Sequence, residues 1–280
     1  MTLKAKLAAA VLSSAVLAGA MAPGAKAQPI TGLYVGGGAG YNFSEERDIS
    51  ARGRSARYMN SLPASTIGTM RTHDGWLGLL SLGWGFGNGF RAEVEGNYRE
   101  NDVRGVGGFG GPTATSRFTA IGGTVRQYGV MTNVLFDFDM SSFGTNISPY
   151  IGGGVGYLIN DFDGFTATRD ANSGNRLRIT DSEGNFAYQA IAGLSFPIEA
   201  VPGLSLTAEY RYLGSLRSSL QGRVVSPIGA TVSTGGYRPD NVNNHSGILG
   251  LRYAFYTPAP PPAPAPVAVA PAPARTYLVF

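Results

Sequence analysis

The ten residues Phe90-Arg91-Ala92-Glu93-Val94-Glu95-Gly96-Asn97-Tyr98-Arg99 decide the fold of this chain. Apolar and small residues occupy the even positions, and charged or amide residues occupy the odd positions. Successive side chains of a β-strand point to opposite faces, whereas a helix with 3.6 residues per turn would mix the two sets. The stretch therefore predicts a strand with one apolar face and one polar face.

The same period of two recurs in seven other segments between residues 28 and 256. These segments are 33–43, 76–86, 128–138, 151–159, 186–196, 204–212 and 247–255. Short connections such as Gly87-Asn88-Gly89 alternate with long segments at 44–72, 100–124, 160–184 and 215–244. An even number of strands with this alternation is typical of bacterial outer-membrane barrels. The sequence therefore predicts an all-β fold, an eight-stranded antiparallel transmembrane β-barrel with short periplasmic turns and long extracellular loops. Both ends of the chain that forms the barrel would then be periplasmic.

The alternation alone does not decide which face points outward. A soluble, lipocalin-like barrel would turn its apolar face inward. Aromatic residues cluster at the strand ends, where membrane-interface belts occur, and the long segments fall at one end only. The charged row of residues 91–99 also suits a narrow polar lumen better than an outer surface. We therefore expect the apolar face to meet lipid, with the soluble barrel as the alternative.

The expected lumen contains four basic and four acidic residues. They are Arg91, Glu93, Glu95, Arg99, Asp137, Glu209, Arg211 and Arg252. Buried charges need partners, so we expect cross-strand ion pairs. An eight-stranded barrel is just wide enough for its side chains to fill it. A filled lumen is the favoured interpretation. The alternative is a gated, low-conductance pore with Arg99 and Arg211 near its external mouth and Arg91 near its periplasmic mouth.

The segments outside the barrel predict export and a linker. Residues 1–27 combine Lys4 and Lys6 with an apolar run and a small-residue cleavage site, as signal peptides do. Residues 28–256 would form the barrel. Residues 257–274, rich in Pro and Ala, predict an extended periplasmic linker. Residues 275–280 would then be a remnant of a carboxyl-terminal domain.

Charge and cysteine content exclude several functions. Three of the 22 Lys and Arg residues and none of the 18 Asp and Glu residues precede Gln28, so the remaining chain has a net charge of only +1. No basic face for nucleic acid is expected. The absence of Cys excludes disulfides, thiol catalysis and cysteine metal sites.

Residues suited to catalysis or ligand binding are few. His73 and His245 lie where long segments meet strands, and Ser246 follows His245. Neighbours on a strand point to opposite faces, so this His and Ser cannot act together. Asp161-Phe162-Asp163-Gly164 resembles part of a calcium loop but lacks the Glu that completes one. We expect no enzyme, no cofactor and no metal site. The run Arg47, Arg52, Arg54 and Arg57 could contact anionic lipopolysaccharide, although a solvated loop is the simpler interpretation.

Three motifs resemble the amino-terminal barrel of the OmpA family. They are Leu33-Tyr34-Val35-Gly36-Gly37-Gly38, Pro149-Tyr150-Ile151-Gly152-Gly153-Gly154-Val155-Gly156-Tyr157 and Gly250-Leu251-Arg252-Tyr253-Ala254-Phe255. The last resembles a signal for the outer-membrane assembly machinery, which would read Gly250, Tyr253 and Phe255. Ile248 departs from the polar residue often found upstream of that signal.

The resemblance implies a structural barrel that anchors the cell envelope and lies among outer-membrane lipid and lipopolysaccharide. Residues 275–280 resemble the first strand of the family's peptidoglycan-binding domain, so peptidoglycan is an expected partner only if a downstream domain exists. The alternative functions are a small diffusion porin and a surface-exposed adhesin that acts through its extracellular loops.

Overall fold

The computed structural model describes residues 30–61, 65–108, 118–140, 143, 145–169, 176–216, 220–226 and 228–256. The predicted signal peptide, the Pro/Ala linker and the predicted domain remnant lie outside these residues. No helix in the described part of the chain is long and apolar enough to cross a membrane.

The described residues form twelve strands and one helix. They are β1 (Thr31–Ser44), β2 (Arg47–Ala51), α1 (Gly53–Ser61), β3 (Ile67–Thr72), β4 (Gly75–Phe86), β5 (Phe90–Gly108), β6 (Phe118–Asp137), β7 (Ser148–Arg169), β8 (Arg176–Pro197), β9 (Leu204–Ser215), β10 (Leu220–Val225), β11 (Thr231–Pro239) and β12 (Val242–Ala254).

Eight of these strands close into an antiparallel barrel. Around the wall the order is β1, β4, β5, β6, β7, β8, β9 and β12, and β12 pairs again with β1. This confirms the predicted fold class and all eight predicted strands. β1 begins with Thr31 opposite Phe86, and β12 ends with Ala254 opposite Tyr34. Both ends of the barrel chain therefore lie at the end with the short turns, which we call the turn end; the opposite end is the loop end.

Two turn-end connections show why the chain reverses so tightly. Gly87 and Gly89 have φ values of 78° and 92°, which residues that carry a side chain rarely adopt. The Asn88 side chain accepts a hydrogen bond from the Phe90 amide at 3.1 Å. Gly203 has a φ of 87° in the turn between β8 and β9. These glycines allow short turns that fix the register of the strands beside them.

The apolar faces of the eight strands point outward. Exposed side chains include Leu82, Val94, Val130, Val134, Ile151 and Val155, while the alternate residues on the same strands are buried inside. Aromatic side chains form a belt at each end of this apolar band. The loop-end belt contains Trp76, Tyr98, Tyr128, Tyr157, Phe186, Tyr188 and Tyr212, and the turn-end belt contains Trp84, Phe86, Phe90, Phe136, Phe138, Tyr253 and Phe255. An apolar band between aromatic belts is the surface that a membrane requires.

The long segments are more ordered than the sequence suggested. Segments that the sequence predicts as loops contain four strands, β2, β3, β10 and β11, and the helix α1. The strands β5 to β8 also continue well beyond the loop-end belt. In this region β3 pairs with β5, β2 with β3 and β11, and β10 with β11 and β8. A ring made of β3, β2, β11, β10 and the outer parts of β5 to β8 therefore continues the barrel wall beyond the apolar band, and its β5–β6 pairing ends at Asp102 and Thr124. We call this ring the extension.

The sidedness of the wall reverses in the extension. Its buried side chains are Ile49, Ala51, Val103, Val224 and Tyr237, whereas Arg178, Arg223 and Arg238 are exposed. An apolar interior with a charged exterior is the arrangement of a barrel surrounded by water. Burial raises the pKa of the Tyr237 hydroxyl above its ordinary value.

Helix α1 lies on the inner face of the extension. The buried Ser55 packs so closely on β11 that a Cβ atom at Gly235 would lie 2.5 Å from its hydroxyl oxygen. Gly235 shares a strand face with the buried Tyr237, and this face points inward. Arg52, Arg54 and Arg57 beside and within the helix are exposed, and the side chain of Arg47 lies outside the described residues.

Candidate functional site: the barrel lumen

The lumen is built from the odd positions of β5 and the side chains that face them across the barrel. Each of the eight charged residues expected there lies inside the barrel, and Arg91, Glu93, Glu95, Arg99, Asp137, Arg211 and Arg252 are buried. Glu209 is half-buried. The side chains form three layers along the barrel axis.

The layer nearest the turn end is centred on Arg91. Its guanidinium binds Asp137 through two hydrogen bonds, Nε to Oδ2 at 2.8 Å and Nη2 to Oδ1 at 2.9 Å. It also lies against the rings of Tyr34 and Tyr150, at 5.3 and 5.1 Å from their centroids. Arg252 donates to Ser195 at 2.8 Å. The two hydrogen bonds to Asp137 fix the Arg91 guanidinium more firmly than a single charge contact would.

Two tyrosines of this layer fit against glycines on neighbouring strands. A Cβ atom at Gly83 would lie 2.2 Å from the Tyr34 ring, and one at Gly193 would lie 2.4 Å from the Tyr150 ring. The missing side chains let the rings lie flat on the inner wall. The tyrosine hydroxyls then reach the carboxylates, with Tyr34 donating to Glu93 at 2.8 Å and Tyr150 donating to Glu209 at 2.6 Å.

The middle layer is centred on Arg211, which bridges two carboxylates. One side of its guanidinium donates to Glu209 at 2.7 Å, and Nη1 donates to Glu95. Asn133 donates to both Glu93 and Glu95 at 3.0 Å, and its own oxygen accepts from Gln189 at 2.6 Å. This layer connects four strands through charge-assisted hydrogen bonds.

Arg99 lies above Arg211, on the side toward the loop end. Its side chain is 0% exposed, and Nη1 donates to Asn97 at 2.7 Å. Nε and Nη2 have no hydrogen-bond partner among the described residues. Arg99 and Arg211 therefore do not lie at the external mouth, as the pore hypothesis assumed, because further polar residues lie between them and the loop end.

Those residues form a third layer made of amides. Gln127 accepts from Asn244 at 3.0 Å and donates to Asn160 at 2.7 Å. Asn42 donates to Asn101 at 2.9 Å and accepts from Ser246 at 2.8 Å. The layer closes the loop end of the ionic network with neutral groups.

Apolar side chains fill the inner wall between these layers. The described residues include three buried clusters, formed by Met131, Leu158, Ala187 and Leu213, by Leu77, Leu79 and Ile248, and by Leu135, Tyr150 and Ile191. Between Arg91, Glu93, Arg211 and Arg252 lies a cavity of about 20 Å³. That is room for about one water molecule. At this level the lumen is filled.

Sequence reasoning missed the tyrosine, amide and apolar members of the lumen. It searched for charges, whereas Tyr34, Asn133 and Gln189 carry none. The inward direction of these three side chains was predictable, because each lies at the opposite parity to the outward residues of its strand. Two residues of the possible assembly signal, Tyr253 and Phe255, lie exposed at the turn end, where their rings pack edge to face at 5.2 Å. Gly250 faces inward, since a Cβ atom there would meet Thr207 Oγ1 at 2.8 Å.

The histidine regions contain no His–Ser pair. His245 faces outward and contacts the Tyr210 hydroxyl at 2.6 Å and Glu45 at 3.5 Å. Ser246 faces inward to Asn42, as expected for neighbours on one strand. No group of three or more His, Asp or Glu side chains in the described ranges is arranged to hold a metal ion.

A closed antiparallel barrel with an apolar outer band, two aromatic belts and an ion-paired lumen is a transmembrane β-barrel of the outer-membrane class. The chain belongs to the family described as "Outer membrane protein beta-barrel domain", whose match covers residues 8–255. The family places the protein in the bacterial outer membrane. The narrower resemblance to the OmpA family stays a prediction.

The chain is also similar to individual proteins. An outer membrane protein of Gluconacetobacter diazotrophicus is 42% identical over 262 residues, which are 91% of this chain and 66% of that protein. Similar solved structures include the outer membrane protein OprG of Pseudomonas aeruginosa, with a TM-score of 0.46, 13% identity and coverage of 81% of this chain and 98% of OprG. Neisserial surface protein A has a TM-score of 0.41, 17% identity and coverage of 80% and 98%.

Proposed function

We propose that this protein is a structural outer-membrane anchor whose barrel does not conduct solutes. The filled lumen is the observation that carries the proposal. Arg211 and its two carboxylates occupy the middle of the barrel, with tyrosine and amide layers below and above them. A wall that encloses packed side chains holds the chain in the membrane without offering a path. Peptidoglycan would be a partner only if a domain that binds it follows the barrel.

The proposed orientation places the loop end outside the cell, and the turn end, with both ends of the barrel chain, in the periplasm. The extension supports it, because a wall with an apolar interior and a charged exterior belongs in water, and outer-membrane barrels have their long connections outside. Ala230, between β10 and β11, and Val201, between β8 and β9, are exposed at opposite ends.

Single cysteines test this orientation directly, because the chain has no Cys of its own. In intact cells a membrane-impermeant maleimide is expected to label Ala230→Cys and to leave Val201→Cys unlabelled. After lysis both variants should react, which controls for reactivity. Labelling of Val201→Cys alone in intact cells would mean that the barrel has the opposite orientation.

The closed lumen is tested in planar lipid bilayers. The wild-type protein is expected to show no discrete conductance steps, since the ionic network fills the barrel. The double variant Arg211→Ala, Glu95→Ala removes the central side chains and should produce steps. The control Arg71→Ala changes the exposed ion pair with Glu46 and should behave as wild type. Uniform, long-lived steps from the wild-type protein would refute the closed lumen and favour the diffusion-porin alternative.

The extension supports surface recognition as a second function. It presents a structured, charged outer face, and structured surfaces bind with a smaller ordering cost. An adhesin-like role at this face is compatible with the anchor, since the lumen and the extension use different residues.

A further inference from the structure

Two arginines lie directly opposite each other on the outer face of the extension. Arg178 of β8 is the register partner of Arg223 of β10. Both are exposed, and among the described residues no carboxylate forms an ion pair with either guanidinium. Like charges directly opposite in a sheet are destabilising. The pair therefore lacks the local compensation that Arg91 has from Asp137.

Both side chains point outward. Arg223 lies between Gly222 and Val224, which are buried on the inner face. Their register partners across the sheet are neutral, Thr166 for Arg178 and Thr234 for Arg223. Arg238 of β11 is exposed on the same outer face further along. Arg178 and Arg223 are thus an opposed basic pair that has no ion-paired carboxylate among the described residues.

The height of the pair above the membrane limits its partner. Arg178 lies eight residues beyond Phe186 of the loop-end belt. At about 3.3 Å per residue and a strand tilt of about 40°, the pair is roughly 20 Å above the belt. Lipid phosphates lie at the membrane surface, well below it. Phosphate groups of the sugar core that lipopolysaccharide carries above its lipid reach this height.

We propose that Arg178 and Arg223 form a binding site for phosphate groups of the lipopolysaccharide core oligosaccharide. A guanidinium offers planar, paired N–H donors that match phosphate oxygens, and two opposed guanidiniums can hold one phosphate from both sides. The bound anion removes the repulsion between the arginines. The site rests on the proposed orientation, with the loop end outside, where lipopolysaccharide lies.

The test measures binding of purified lipopolysaccharide to the protein in phosphatidylcholine nanodiscs, where both ends are accessible whatever the orientation in cells. The probes are lipopolysaccharide with a complete phosphorylated core, the same material after dephosphorylation of the core, and a form truncated to lipid A. The double variant Arg178→Gln, Arg223→Gln is compared with wild type. Arg54→Gln, Arg57→Gln on α1 is the matched control, because it removes the same charge from the same end, while α1 packs on the inner face of the extension and not on the outer face that carries Arg178 and Arg223.

Loss of two charge-assisted contacts should weaken binding of the complete core by about tenfold in the β8–β10 variant and by less than about twofold in the control. Wild type and variant should bind the dephosphorylated and truncated forms equally. Unchanged binding of the complete core by the variant would overturn the site, as would an equal loss with lipid A alone. An equal loss in the α1 control would show that only net charge matters. Failure of these results leaves the cysteine-labelling result, and so the orientation, unaffected.

Discussion

Replacing Arg211 with Met is expected to destabilise the folded barrel by about 3–5 kcal/mol, because it leaves charged groups buried without their partner. Arg211 is 2% exposed, and it is the residue that pairs with both Glu95 and Glu209 in the middle layer. Methionine fills a similar volume but carries no charge, so two carboxylates would face each other in the lumen. The measurement is the midpoint of guanidinium unfolding from lipid vesicles.

Two further variants separate charge from packing. The triple variant Arg211→Met, Glu95→Gln, Glu209→Gln should recover to within about 2 kcal/mol of wild type, since replacing a whole buried ionic group is often nearly neutral. Arg71→Met removes an exposed ion pair and should cost less than about 1 kcal/mol. If Arg211→Met costs no more than Arg71→Met, the middle layer does not stabilise the barrel.

Replacing Leu80 with Arg is expected to cost about 2–4 kcal/mol, the range for a cation on the lipid face near the bilayer centre. Leu80 is 74% exposed and lies midway between Trp76 and Trp84, one in each aromatic belt. The cost comes from the membrane rather than from lost packing, since the side chain has few protein contacts to lose. The same vesicle unfolding assay measures it.

Ile67→Arg is the matched control for this variant. Ile67 is also exposed, at 53%, but belongs to β3 in the extension, where the surrounding solvent is water. The change there should stay within about 0.5 kcal/mol. Equal costs at Leu80 and Ile67 would mean that the apolar band does not lie in lipid.

The period of two in residues 90–99 and in the seven other segments was sufficient to predict the eight barrel strands, and the same parity puts Glu93, Glu95 and Arg211 on the inner face, where the structure buries them. The signal works because a strand turns successive side chains to opposite faces, so facing can be read residue by residue. The tight turn at Gly87 to Gly89 was predictable for a similar reason, since its chemistry is local.

The extension could not be predicted in the same way. β10 and β11 are short, and residues 220–225 and 231–239 mix Gly, Arg, Thr and Val without a sustained period. Their stability comes from pairing with β8 and β2, which lie far away in sequence. Such long-range pairing leaves a weak local signal. The position of α1 inside the ring depends on Ser55 packing against Gly235, a contact that no local pattern indicates.

The same limit applies to the partners of each charge. Parity predicted that Arg99 points inside the barrel, whereas its position opposite Gln127 of the amide layer follows only from the register of β5 and β6. The pairing of Arg91 with Asp137 likewise depends on how β5 and β6 align, with Arg91 opposite Leu135. The sequence predicts which charged residues are buried, whereas the pairing between them depends on the register of the folded strands.

The even residues of β6 meet lipid, and its odd residues meet a filled lumen. Tyr128, Val130 and Val134 are exposed, while Met131, Asn133 and Leu135 are buried. Because the chain contains no Cys, a nitroxide spin label can be attached to single cysteines at each position from 128 to 136. The measurement is the collision rate of each label with oxygen, which dissolves in lipid, and with a water-soluble nickel complex. We expect high oxygen access at even positions, and low access to both reagents at odd positions. Even positions that favour the nickel complex, or odd positions open to it, would contradict the account.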